Sequence, residues 1–253
     1  RTRLFYGREK LRERWRMKGI RSSMSEYNVK HEVVPNFGDL KMMLSCIRPD
    51  VEIRYTTDGS EPHEYSMLYR RPLIIKQSQT VKCATFKDGK RVSQILEIPV
   101  QVSGTTGCNV LRSNSVERRL VNGVRGSLKN TDGEWASWGK NDSIALTFDV
   151  GARKRMGVVS LGYLNDFGLG IHKPQKVEVW LSDNDVHYWK ATEQTFDSDE
   201  VFVEGRFTKE MKFAFEDVAR YVRIIMKGAG KCSGYHVRPG LETQIYLDEV
   251  LIE

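Results

Sequence analysis

Strand-like alternation of apolar and polar positions runs through most of this chain. Leu40, Met42, Leu44 and Cys46 alternate with Lys41, Met43 and Ser45. The run from Val51 to Thr57 alternates and meets Asp58-Gly59, a strong hairpin dipeptide, and Pro62 ends it. Leu73 to Ile75, Val81 to Phe86 with a second turn at Asp88-Gly89, and Val92 to Val102 follow. Further strands are predicted over 144–150, 157–163, 176–182, 211–215, 220–227 and 244–252. In the first of these Ile144, Leu146, Phe148 and Val150 share a face. In the third, Val177, Val179 and Leu181 do, which places Trp180 on the opposite face. Strands about 8–12 residues apart, with no helical period between them, predict an all-β chain built from sandwiches.

Only the first segment, 1–25, has a helical period. Leu4, Leu11, Trp15 and Met17 fall near one face, and Gly19 is a stop signal. One narrow apolar stripe cannot hold a lone helix, so this one is expected to pack on another domain. The chain opens without Met inside that pattern, and we expect it to be a fragment of a longer protein. The polar, glycine-rich stretch Ser103 to Gly107 reads as a domain entry. Three pieces result: a helix over 1–25, a sandwich over 26–103 and a second sandwich over 107–253.

Composition limits the partners. The 253 residues suffice for two sandwiches, and 40% hydrophobic with 29% charged residues is the balance of a globular protein. No apolar run approaches the length of a membrane span. The net charge is +7, but residues 1–30 alone hold ten Lys/Arg against three Glu, and the remainder is neutral. That is a charged helix face rather than a basic groove, so nucleic acid is not expected as a partner. Cys46, Cys83, Cys108 and Cys232 form no C-x-x-C pair, and no His stands at metal spacing from them, so zinc is not expected. Bridges Cys46–Cys83 or Cys108–Cys232 and buried free thiols remain open alternatives.

The text Ile53 to Pro62, with Tyr55-Thr56-Thr57-Asp58-Gly59-Ser60, resembles the signature of the chitobiase/β-hexosaminidase C-terminal domain. The resemblance continues through Leu68-Tyr69, Pro72-Leu73 and Val81 to Gly89, and implies a small fibronectin-III-like sandwich. The third piece resembles the coagulation-factor 5/8 type C, or discoidin, domain, whose jelly-roll fold carbohydrate-binding module family 32 shares. The matching text is Leu120 to Gly123, Trp135 and Trp138, Ser160 to Tyr163, Pro174 to Asp183, Ala219 to Ile224 and Leu247 to Ile252. The helix and Ser25 to Val29 look like the end of a glycoside hydrolase family 20 barrel. This order implies the C-terminal region of a bacterial β-N-acetylhexosaminidase, periplasmic, cell-surface or secreted. It implies a non-catalytic accessory region meeting glycans with GlcNAc, GalNAc or galactose, and partnered by its own upstream catalytic domain.

Catalysis is not expected within the chain. Family 20 chemistry uses an adjacent Asp-Glu pair on a barrel. Asp199-Glu200 reads as a polar loop, and Asp248-Glu249 lies on the final strand. The five His are scattered, and no Ser or Cys has a nucleophile's context.

A sugar site needs an aromatic plate and a few planar hydrogen-bonding groups. The discoidin resemblance places these in loops at one end of the sandwich. The candidates are Phe167 and Tyr235 as plates, Trp138 as a further aromatic, and Asn165, His172 and Arg238 as polar partners. Each also reads as an ordinary packed or solvated loop residue. Trp135 reads as a core plug. The resemblance further implies a structural Ca2+ held by oxygen ligands, with Asn122, Asp132 and Glu249 at the matching positions. Asn122 stands where the family usually has Asp. Two competing roles remain. The sandwiches could brace a barrel or dimer without a ligand. Alternatively, Phe167, Leu169 and Ile171 could act as apolar spikes on a membrane, though the basic charge lies in the wrong segment.

Overall fold

The computed structural model describes residues 26–112, 117–139 and 143–253, and the helix expected over 1–25 lies outside them. The described chain is mainly antiparallel β-structure, as the alternation predicts. In order it contains β1 (Lys30–Asn36), β2 (Asp39–Ser45), β3 (Glu52–Thr56), β4 (Met67–Leu68), β5 (Leu73–Ile75), β6 (Gln79–Lys87), β7 (Lys90–Arg91) and β8 (Leu96–Val100). Then follow β9 (Asn109–Leu111), a 3₁₀ turn (Glu117–Val121), β10 (Ala136–Gly139), β11 (Ile144–Asp166), a 3₁₀ turn (Phe167–Leu169), β12 (Lys176–Ser182), β13 (Trp189–Thr195), α1 (Ser198–Val201), β14 (Arg206–Lys227) and β15 (Gln244–Ile252). The chain divides into two compact units: 26–32, 42–73 and 79–99, and then 33–41, 74–78 and 100–253.

Three sheets account for the strands. One has the order β1-β2-β5, and a second the order β4-β3-β6-β7 with β8 also on β6. In the latter, Tyr55 pairs with Cys83 and Ile53 with Thr85, which puts Tyr55, Cys83 and Val81 into the core. The third sheet has the order β10-β15-β11-β14-β12-β13, with β9 also on β11. Its core is one cluster that includes Leu120, Phe148, Leu161, Val179, Leu181, Val222, Ile224, Leu247 and Val250.

Two strands are much longer than the alternation predicted. β11 has 23 residues and β14 has 22, where the pattern predicts two separate strands in each place. They pair from Ile144↔Met226 to Asp166↔Arg206, with register shifts between Asp149 and Lys154 and between Met156 and Val158. Gly151 takes φ 83° at the first shift. Bulges let a strand bend and continue where a polar run would otherwise read as a loop. Each long strand therefore serves two layers. The first half of β11 pairs with β9 and with the half of β14 that meets β12. The second half of β11 pairs with β15, which carries β10. Phe148 from one half and Leu161 from the other meet in the same core, which is the sandwich.

One local expectation is corrected, and one open alternative is decided. Asp199-Glu200 lies in the single turn of α1, because Glu200 accepts from the Asp197 amide at 3.0 Å and closes the N-terminus. The four cysteines are all free. Burial pushes the Cys83 and Cys108 thiols up to about 12, so neither is a thiolate at neutral pH.

Candidate functional site

The loops after β11 and β14 lie at one end of the sandwich. His172 donates its amide to Gln244 O at 2.9 Å, and Gln175 donates to Lys227 O at 2.8 Å, which ties both loops to the strand ends. The first loop begins with a short 3₁₀ turn. Asp166 caps it by accepting from the Leu169 amide at 3.2 Å, and Gly170 closes it in the left-handed region at φ 71°. Asp166 and Ile171 exchange both backbone bonds at 2.9 and 3.1 Å. Asp166 also pairs with Arg206.

The second loop, 228–243, is laddered across its base. Cys232 donates to Leu241 O at 2.8 Å, Gly240 to Cys232 O at 3.1 Å and Thr243 to Gly230 O at 2.8 Å. Its tip is fixed by His236 N to Ser233 O at 3.1 Å and Leu241 N to Arg238 O at 3.2 Å. The Arg238 amide donates to His236 Nδ1 at 2.9 Å. Bonded in this way, the loop has little freedom to collapse. Yet its tip holds Tyr235 99% exposed and Val237 67% exposed, with Arg238 exposed beside them.

Beneath that tip lies a ring cluster. Phe167 and His236 have centroids 4.1 Å apart, His172 and His236 5.5 Å, His172 and Phe202 5.0 Å, and Phe167 and His172 6.0 Å. His172, His236 and Cys232 are all buried. One ligating atom from each of the three lies within 4.8 Å of the other two. Both His172 ring nitrogens and His236 Nε2 are buried without a hydrogen-bond partner of normal geometry. Burial, reinforced by His236, pushes the His172 imidazole down to about 4, so it is neutral at pH 7. The expectation that no His stands at metal spacing from a cysteine is thereby corrected. Cys232 and His236 are four residues apart on one loop, and the other loop brings His172 to them.

The candidate sugar residues divide. Phe167, half-buried, sits with His236 under the loop that carries Tyr235 and Arg238. Asn165 is buried, and its amide is spent on Val203 O at 2.9 Å and Gly205 O at 3.0 Å, so it braces the turn before β14 from inside. His172 is likewise inside the ring cluster, away from the surface. Trp138 is half-buried against the main core from β10, near enough to Glu117 Oε1 (3.4 Å) to donate to it, and takes no part in the ring cluster. Trp135 is a core residue with Leu164 and Ile171. Ile171 is buried and Leu169 packs on that same cluster, so Phe167, Leu169 and Ile171 do not form a set of exposed spikes. Sequence reasoning missed Cys232, His236 and Phe202.

The candidate calcium residues divide as well. Asn122 donates to Glu134 Oε2 at 3.0 Å and accepts from the Val124 amide at 2.8 Å. Glu249 is fully buried. Its Oε2 accepts from the Gly123 amide at 2.9 Å, while its Oε1 has no partner. Burial pushes its carboxyl well above the usual carboxylate range. Asp132 is elsewhere, exposed and closing a turn by accepting from Ser127 at 2.6 Å and Glu134 at 2.9 Å. Glu134 takes the place beside Asn122 that the sequence assigned to Asp132. Glu134 is near enough to act on the Glu249 charge, and the unpartnered Glu249 oxygen and the Glu134 carboxylate are donors of the kind a hard cation takes. Asp248, the other half of the Asp-Glu pair, is neutralised by Arg125 at 3.1 Å and accepts from Gly126 at 3.0 Å. It is part of the scaffold.

A separate cleft of about 360 Å³ lies at the β12–β13 turn, lined by Asp183, Asn184, His187, Tyr188 and Trp189. Arg223 stacks over Tyr188 at 3.7 Å, and Asp185 pairs with Arg112.

Comparisons with known proteins now bear on the chain. The family model described as Fn3 associated matches residues 42–98. Among solved structures, one similar chain is the CBM32 of AlyQ in complex with 4,5-unsaturated mannuronic acid, at 17% identity and TM-score 0.37, covering 58% of this chain and 92% of that one. Another is chitosan-binding module 1 from the chitosanase/glucanase of Paenibacillus sp. IK-5, at 12% identity and TM-score 0.38, covering 60% and 98%. A third is a lectin binding domain of Lectinolysin complexed with Lewis b, at 20% identity and TM-score 0.39, covering 61% and 97%. No curated protein matches the chain. Among the described residues no helix is long and apolar enough to cross a membrane.

Proposed function

We propose that the 107–253 sandwich is a non-catalytic carbohydrate-binding module that meets its glycan at the tip of the 228–243 loop. The observation that carries this reading is Tyr235, 99% exposed on a loop held by its own hydrogen bonds. An aromatic ring kept in water at a rigid tip forgoes burial, and the face of a pyranose would provide it. Arg238 supplies planar donors three residues away, and Phe167 backs the loop through His236. The ligand class is a glycan containing GlcNAc, GalNAc or galactose, and the setting is a secreted, periplasmic or cell-surface β-N-acetylhexosaminidase. That parent rests on the resemblance at Ile53 to Pro62 and on the order of the pieces. A structural Ca2+ at Glu249 Oε1, beside Asn122 and Glu134, belongs to the same reading and rests on that unpartnered oxygen.

A second reading, bracing without a ligand, is favoured by one observation. Asn165 and His172, two of the polar partners expected for a sugar, are both buried. Calorimetric titration of the chain with GlcNAc, GalNAc and galactose at millimolar concentration decides between them. Saturable heat with any one supports the binding module, and silence with all three leaves only the bracing role.

A further inference from the structure

We propose that His172, Cys232 and His236 form a binding site for a borderline-soft transition metal, Zn2+, with three protein ligands. Donor chemistry is the first ground. Two imidazoles and one thiol suit zinc, and three protein ligands leave a fourth position for water. Geometry is the second. The three ligating atoms lie within 4.8 Å of one another although the residues come from two loops sixty residues apart. Unmet hydrogen bonding is the third and independent ground. His172 Nδ1 and Nε2 and His236 Nε2 are buried with no hydrogen bond of normal geometry, the Val201 backbone making only a poorly aligned approach to His172, in residues 1% and 3% exposed. Buried polar atoms in a folded protein are nearly always satisfied, and a metal would engage both rings. Phe167 and Phe202 form apolar walls that offer the nitrogens no polar partner.

Proton accounting adds a consequence. His236 Nδ1 accepts from the Arg238 amide at 2.9 Å, so in the neutral ring the proton sits on Nε2. Ligation through Nε2 moves that proton to Nδ1 and ends the bond to Arg238. The Cys232 thiol releases its proton to solvent as the thiolate binds. One neutral hydrogen bond is a small loss against three metal–ligand bonds. The 236–238 backbone must then turn, so metal occupancy and the conformation of the loop tip are linked. This site stands independently of whether a sugar binds above it.

The test uses the whole chain under reducing conditions. After incubation with Zn2+ and desalting, metal analysis should find one equivalent retained. Substitution with Co2+ should give tetrahedral visible bands and a thiolate-to-cobalt charge-transfer band, both lost in Cys232→Ser. Should that variant fail to fold, His236→Gln decides, because it keeps all four thiols and must still lose the tetrahedral spectrum. A folded wild-type chain that retains no zinc and shows only the spectrum of aqueous Co2+ overturns the proposal. So does a Cys232→Ser or His236→Gln chain that retains the wild-type spectrum.

Discussion

Replacing Tyr235 with Ala separates a ligand-facing role from a structural one. The ring is 99% exposed, so its removal uncovers no apolar surface and empties no cavity. Surface substitutions of this kind stay within about 0.5 kcal/mol of wild-type stability. The loop itself keeps its backbone bonds, since none of those that brace it involves the Tyr235 side chain. A stacking aromatic contributes about 0.5–1.5 kcal/mol beyond area burial. At about 1.4 kcal/mol per decade, that is roughly a two- to twelvefold loss of affinity. Urea unfolding should therefore superimpose on wild type, while titration with whichever of GlcNAc, GalNAc or galactose binds should weaken by that factor. Unfolding shifted by more than about 1 kcal/mol would show that the ring packs in solution. Unchanged affinity in a chain that does bind sugar would refute the placement of the site at this loop.

Three further outcomes follow from the same end of the sandwich and from its opposite layer. Asn165→Ala removes two buried hydrogen bonds at about 1 kcal/mol each and leaves a small void, so denaturant unfolding should show a loss of about 2–3 kcal/mol. A fall in sugar affinity without that loss would instead return Asn165 to the ligand. Gly170→Ala places a methyl 3.0 Å from Leu241 Cδ2 and 3.4 Å from Cys232 Sγ at φ +71°, which should cost about 1–2 kcal/mol by the same measurement. The Arg220 guanidinium, at 2.8 and 2.9 Å, holds the Asp149 carboxyl below its ordinary value. A depressed folded value stabilises above the unfolded pKa of about 3.9 and is lost as pH falls through the folded one. Arg220→Gln should therefore lower Tm at neutral pH, with the gap to wild type closing below about pH 4.

Most of the strand core was legible because alternation reports which face is buried. Val177, Val179 and Leu181 are buried on one face of β12 and Trp180 is half-buried on the other, as their spacing requires. The strands that alternation missed lack that contrast. β13, with Lys190, Thr192, Glu193 and Gln194, is an edge strand wetted on most of its length. β10 is four residues long, and β1 carries Pro35. The polar run Gly151 to Arg155 reads as a loop because composition does not reveal that two bulges keep the strand paired. At the candidate site, Tyr235 and Arg238 were legible as loop residues. The Cys232–His236 spacing was visible in the sequence and was passed over, whereas His172 was not legible with them, because periodicity holds no information about which residue of a distant loop will meet Cys232.

Buried polar atoms without partners make one last distinction available. Among the described residues they include His172 Nδ1 and Nε2, His236 Nε2 and Glu249 Oε1. The first three are nitrogens beside a thiol, a set that favours Zn2+, and the last is a carboxylate oxygen beside Asn122 and Glu134, a set that favours Ca2+. The two sets share no residue. An ion that binds only the folded chain stabilises it by about 2.7 kcal/mol at one hundred times its Kd. Sites without shared partners add within about 0.5 kcal/mol. Thermal unfolding with Zn2+, with Ca2+ and with both should therefore give two separate shifts whose free energies sum. Glu249→Gln should remove the calcium shift alone, and His236→Gln the zinc shift alone. Competition between the ions, or one variant abolishing both shifts, would refute the division into a soft site and a hard one.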